Sequence, residues 1–163
     1  MSEELMSSLE EYVLRNGLQL DDPLGTGIHG TVFSARRKGE FGGVALKAHS
    51  FSDPYERERN IYLRLMSRGV WEIRGLTVPQ LCRYDDELLV LEMTAVAPPY
   101  ILDFAGGYLD RPPRFSAEIW ADWTEKNAEQ FGSDWPAVQQ ILSDLQDLGI
   151  HLHDLSTSNI RFR

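Results

Sequence analysis

The sequence predicts an α+β fold, with a five-stranded antiparallel sheet on its N-terminal side and a mostly helical C-terminal side. Two observations carry this. Strand-forming segments crowd the stretch from Leu18 to Met93 and are interrupted by one helical pattern, so hairpins rather than parallel βαβ crossovers connect them. After Pro113, apolar residues recur at helical spacing in two further runs. The chain thus divides into an amphipathic helix over 1–17, a strand-rich unit over 18–93, and a connection with helices over 94–163.

Residues 3–15 place Leu5, Leu9, Tyr12 and Val13 near helical spacing, and Asn16-Gly17 is a natural stop because glycine accepts the left-handed conformation that ends helices. This helix packs across the sheet or forms a dimer contact. Leu18 to Lys47 reads as three strands, the last two joined by the glycine-rich hairpin Lys38 to Gly43. Asp53-Pro54-Tyr55-Glu56 predicts a helix start, with Asp53 as cap, Pro54 at the first position and Glu56 completing a capping box. That helix runs to about Arg68-Gly69, with Ile61 and Leu65 on its apolar face and Glu58 close by. Val78–Tyr84 and Glu87–Met93 supply the remaining strands.

Residues 94–114, with Pro98-Pro99, Gly106-Gly107 and Pro112-Pro113, read as an irregular connection. Ser116 to Phe131 carries Ile119, Trp120, Trp123 and Phe131 at helical spacing; Ser133-Asp134 reads as the cap of a last helix bearing Val138, Ile141, Leu142, Leu145 and Leu148. Its apolar stripe needs cover. The preceding tryptophans or a second copy of the chain would provide it, and self-association is the expectation.

A formal charge of −9 argues against a nucleic-acid or anionic-membrane surface, either of which needs a clustered basic face. Cys82 is alone, so no intrachain disulfide forms, which fits a reducing cytoplasm. Met1-Ser2-Glu3-Glu4 is acidic where a signal peptide is basic. The expectation is a cytoplasmic protein without membrane or nucleic-acid partners.

Chemistry concentrates at Gly25-Thr26-Gly27-Ile28-His29-Gly30. Glycines in this pattern let backbone N–H groups approach a polyphosphate, although glycines also mark ordinary hairpins. A dinucleotide-binding loop would open a helix. Here Thr31-Val32-Phe33 is β-branched and aromatic and reads as a strand, so the turn covers phosphates between two strands. Lys47 ends the next strand, Val44-Ala45-Leu46-Lys47, within reach of such phosphates.

With these residues the chain resembles eukaryotic-type protein kinases, and further motifs follow in that family's order. Glu58 in Glu58-Arg59-Asn60-Ile61 matches the glutamate of helix C, Leu88 to Met93 looks like the strand entering the adenine hinge, and Asp154-Leu155-Ser156-Thr157-Ser158-Asn159 has the catalytic-loop spacing. The resemblance implies a small lobe, sheet plus helix C, followed by a truncated helical large lobe. It implies that Gly25, Gly27, Gly30, Val32 and Ala45 enclose ATP, that Lys47 holds its phosphates and that Glu58 orients Lys47. Leu91 would be the gatekeeper, backbone groups of Glu92 and Met93 would pair with adenine, Asp154 would be the base, and Asn159 would bind magnesium.

Several positions depart from the pattern. Leu152-His153-Asp154 replaces His-Arg-Asp, Ser156 stands where a lysine is expected, and only Ile160 to Arg163 follow Asn159, where the Asp-Phe-Gly magnesium aspartate belongs. Magnesium binding is therefore expected to be weak or absent. The reading that follows is a truncated, pseudokinase-type domain that binds ATP or another nucleotide with little or no phosphotransfer. Two alternatives stand beside it: a minimal phosphotransferase completed by an aspartate from another chain, and an interaction module that binds no nucleotide. Glu58 also reads as part of the surface charge run 56–59, and Asp154 as a turn residue satisfying backbone donors.

Overall fold

The computed structural model describes residues 1–163. In chain order its elements are α1 (Glu3–Asn16), β1 (Leu18–Thr26), β2 (Gly30–Arg37), β3 (Val44–His49), α2 (Ser52–Ser67), β4 (Glu72–Ile73), β5 (Leu76–Thr77), β6 (Leu81–Asp85) and β7 (Val90–Thr94). Then come β8 (Tyr100–Ile101), β9 (Gly107–Leu109), α3 (Ala117–Phe131), α4 (Trp135–Asp147), β10 (Ile150–Leu152) and β11 (Ile160–Arg161). The expected five-stranded antiparallel sheet is present in the order β1-β2-β3-β7-β6.

Alternation along the strands sorts side chains onto two faces, and different helices bury them. Phe33, Ala35, Leu46, Ala48 and Val90 face Leu5, Leu9 and Tyr12 of α1, so this helix packs within the chain. Ala45, Leu91 and Met93 join Ile61, Tyr62 and Leu65 of α2 in a larger core that continues to Val138, Ile141 and Leu145 of α4. The stripe on α4 is therefore covered by the chain itself, with Val138 and Leu145 at 0% exposure. That removes the reason for expecting self-association.

Helix ends follow the sequence in part. Ser2 accepts from the Leu5 amide at 3.3 Å, and Gly17 closes α1 in the left-handed region at φ 63°. Ser116 caps α3 through the Ile119 amide at 3.2 Å. The cap expected at Asp53 does not form: α2 begins at Ser52, two residues before the expected Pro54, behind an extended Phe51, and Asp53 sits in the first turn, where its charge suits the positive helix end. Asp134 likewise makes no capping bond, because a 3-10 turn over Gly132–Asp134 leads straight from α3 into α4.

The largest departure lies in the connection read as irregular. It holds β8 and β9, which pair antiparallel with β11 and β10, stitching the middle of the chain to its C-terminal stretch. Strands of two or three residues give no periodicity by which sequence reasoning finds them. The fifth strand of the sheet starts at Val90 rather than Glu87, because Leu89 turns the chain at φ 55°. No helix is long and apolar enough to cross a membrane.

Candidate functional site

Lys47 sits on the α2 side of β3, paired in register with Val32 on β2 and Leu91 on β7. Its Nζ lies 2.8 Å from Glu58 Oε2 and 2.8 Å from Asp103 Oδ1. The Lys47–Glu58 pair is thus formed, and Glu58 is no surface residue: it is fully buried at 0% exposure. Its Oε2 also receives His49 Nε2 at 2.7 Å, and its Oε1 accepts the Phe104 amide at 3.1 Å. Burial opposes ionisation of Glu58, but Lys47 and the His49 hydrogen bond outweigh it and hold its pKa down at about 2. Burial also opposes the Lys47 ammonium, and Glu58 and Asp103 overcome it, keeping lysine charged.

Asp103 is the residue sequence reasoning missed. The sequence pattern offers Asn159 no aspartate partner; the fold places an upstream carboxylate, Asp103, beside it. Asp103 Oδ2 lies 3.4 Å from Asn159 Nδ2, while Oδ1 holds Lys47 and the Ala105 amide at 3.3 Å. The β8–β11 pairing brings them together, extended by the Leu102 amide donating to the Asn159 carbonyl at 2.7 Å. Phe104 packs edge-on against Tyr62 of α2 with centroids 5.2 Å apart. A signal was present: Asp103-Phe104-Ala105-Gly106 is an Asp-Phe pair followed closely by glycine, inside a stretch passed over as loop.

Asp154 is exposed and lies beside Gly106, where an added Cβ would stand 2.8 Å from the Asp154 Cβ. Asp154 satisfies no backbone donor, so the turn-residue reading gains no support. The loop around it is braced from α3: Trp123 Nε1 donates to the His153 carbonyl at 2.7 Å, and Gln130 Nε2 to the Leu155 carbonyl at 3.1 Å. Both bonds tie the loop's backbone down, with Leu152 half-buried in the core behind it.

Of the three turn glycines, Gly30 has a structural duty: a Cβ there would meet the Ala48 carbonyl oxygen at 2.0 Å. Gly25 and Gly27 have open space where a Cβ would be, and the hairpin closes through the Gly27 amide to the Gly30 carbonyl at 2.9 Å. Neither needs to be glycine for the chain's own packing. Val32, Ala45, Leu91 and Met93 share the apolar α2-side face next to Lys47, with Leu91 wholly buried at its back.

One implied contact is corrected. Glu92 and Met93 lie inside the sheet with partners on both β3 and β6, so their backbone groups are committed to the ladders. The Glu92 side chain points to the opposite face, accepting from the Tyr12 hydroxyl at 2.7 Å and pairing with Arg37 at 3.0 Å. Backbone outside the ladders begins with residues 95–99. No group of three or more His, Cys, Asp or Glu side chains is arranged to share a metal; the carboxylate oxygens that converge on Lys47 are those of Glu58 and Asp103, and Asn159 meets Asp103 through its side-chain amide nitrogen.

No family model matches the chain, and no curated protein is significantly similar to it.

Proposed function

We propose that the chain is an ATP-binding domain of protein kinase-like type, with a site equipped for magnesium-assisted phosphoryl transfer to a hydroxyl. The observation that carries this reading is the meeting of Lys47, Glu58, Asp103 and Asn159, contributed by four separate parts of the chain. A buried lysine held by a buried carboxylate is a fixed cation for phosphate oxygens, and its second partner, Asp103, remains 34% exposed and available to a ligand. The donor set also fits a hard cation, which takes oxygen ligands: the Asp103 carboxylate and the Asn159 side-chain carbonyl offer them, and phosphate oxygens complete the shell. Magnesium, when bound, supplies charge compensation on those phosphate oxygens.

The chain's own residues divide the remaining tasks. Glu58 fixes the position of the Lys47 ammonium, Gly25 and Gly27 leave room for a phosphate beneath the turn, and Asp154 takes the proton from the acceptor hydroxyl at its carboxylate. With Asp103 contributed in cis, no second chain is required to complete the site. The cytoplasm, where the exposed Cys82 thiol stays reduced, suits this activity.

A second reading, nucleotide binding without transfer, is favoured by Ser156, which leaves the loop after Asp154 without a cation. Transfer of labelled γ-phosphate, assayed with magnesium and a mixed hydroxyl acceptor, separates the two. Turnover that Asp154→Asn and Asp103→Asn both abolish supports the transferase reading. Tight ATP binding with no transfer leaves the binding role, and no ATP binding at all rejects both.

A further inference from the structure

We propose that the groove in front of Asp154 is a phosphate-type anion site in which Arg57 of α2 and Lys126 of α3 receive the ligand. The inference rests on the reading of Asp154 as the acceptor-side carboxylate, and its chemistry comes from a local reversal of charge. The groove, about 270 Å³, runs from the glycine-rich turn to α3, and Asp154 is the only carboxylate lining it. Four basic side chains line it as well: His29, Arg57, Lys126 and His153. In a chain with 25 acidic and 16 basic side chains, such a lining marks a surface built to take negative charge.

Two of these groups provide the charge. Arg57 is held in place by its Nε donating to the Ala105 carbonyl at 3.0 Å and by the Tyr108 ring, 5.5 Å beneath its guanidinium carbon. Its terminal nitrogens make no hydrogen bond to a protein acceptor, and such a fork on the groove wall matches a phosphate. Lys126, from α3, is exposed in the same lining and forms no ion pair. His153 is different: burial lowers its pKa against the pull of the neighbouring Asp154, with Lys126 adding to the lowering, and its ring lies among Phe115, Trp120 and Trp123, so it lines the groove as an aromatic group rather than a fixed cation. Arg57 and Lys126 thereby bring to Asp154, from two helices, the positive charge that Ser156 does not provide.

A phosphate at this place comes either from the end of the nucleotide or from a phosphorylated acceptor. Calorimetric titration at low ionic strength with inorganic phosphate, phosphoserine, ADP and ATP tests the site, using wild type, Arg57→Gln, Lys126→Gln and the double variant. Wild type is expected to bind inorganic phosphate, each single change to weaken it about tenfold, and the double change to abolish it. Loss of ATP but not ADP affinity in the double variant assigns the site to the terminal phosphate, and loss of phosphoserine affinity with ATP unchanged assigns it to the acceptor. Lys126→Gln lies on an exposed helix face and keeps the test valid should Arg57→Gln disturb the fold. Phosphate binding that is absent in wild type, or equal in wild type and double variant, overturns the proposal. Phosphate binding lost in the double variant while wild type ignores ATP leaves the anion site standing and removes the nucleotide reading.

Discussion

Asp103 holds a left-handed backbone conformation, φ 62°, that residues other than glycine seldom adopt and that aspartate and asparagine tolerate best. Such a conformation costs on the order of 1 kcal/mol and persists where the surroundings fix it, here Lys47 and the β8–β11 pairing. Glu58, facing Lys47 and His49, sets the pH response. Its folded pKa of about 2 lies below the ordinary 4.5, so its contribution is complete above about 4.5 and is lost as pH falls toward 2. Glu58→Gln is expected to cost about 3 kcal/mol at pH 7, since Lys47 stays buried with one partner removed. Denaturant midpoints of wild type and variant should converge as pH falls through that window; parallel curves would show that Glu58 is not the titrating group. Lys47, Glu58 and Asn159 were legible because each lies in a local pattern. Asp103 carried only the weak local signal of an Asp-Phe pair near a glycine, because its contacts depend on a partner 56 residues away and on a strand pair too short to show in sequence.

The strands of the main sheet and all four α-helices were legible because alternation and helical spacing extend over many residues in each. What escaped notice were the elements whose identity is tertiary: β4, β5 and β8 to β11, and the starts of α2 and α4, where backbone geometry took the place of a side-chain cap. The glycine-rich hairpin offers a contrast of its own. In Gly30→Ala the new Cβ would stand 2.0 Å from the Ala48 carbonyl oxygen, a backbone atom, so β2 and β3 must separate; a loss of about 1–3 kcal/mol in unfolding free energy is expected. Gly27→Ala meets open space and should leave stability within about 0.5 kcal/mol. If the turn covers a nucleotide, Gly27→Ala nevertheless weakens ATP binding, measured by titration. Unchanged affinity would make Gly27 a hairpin residue and nothing more.

At the scale of the molecule, one core joins the sheet's α2 face to α4, and the middle of the chain pairs with its C-terminal strands. The apolar stripe on α4 was visible in the sequence; what covers it was not, since that depends on how the connection folds back. Sedimentation equilibrium at micromolar concentration should give a mass near 18.6 kDa, and Leu145→Asp should unfold the chain rather than dissociate a dimer. A doubled mass would show that a surface other than α4 mediates association. If, as proposed, Asp103 completes a cation-dependent nucleotide site with Lys47 and Asn159, the melting temperature with ATP, with and without magnesium, should distinguish wild type from Asp103→Asn, a change that keeps a residue tolerant of the left-handed conformation. The expected result is a rise with ATP that magnesium enlarges in wild type, with the magnesium increment lost in Asp103→Asn; an equal increment in both proteins would contradict it.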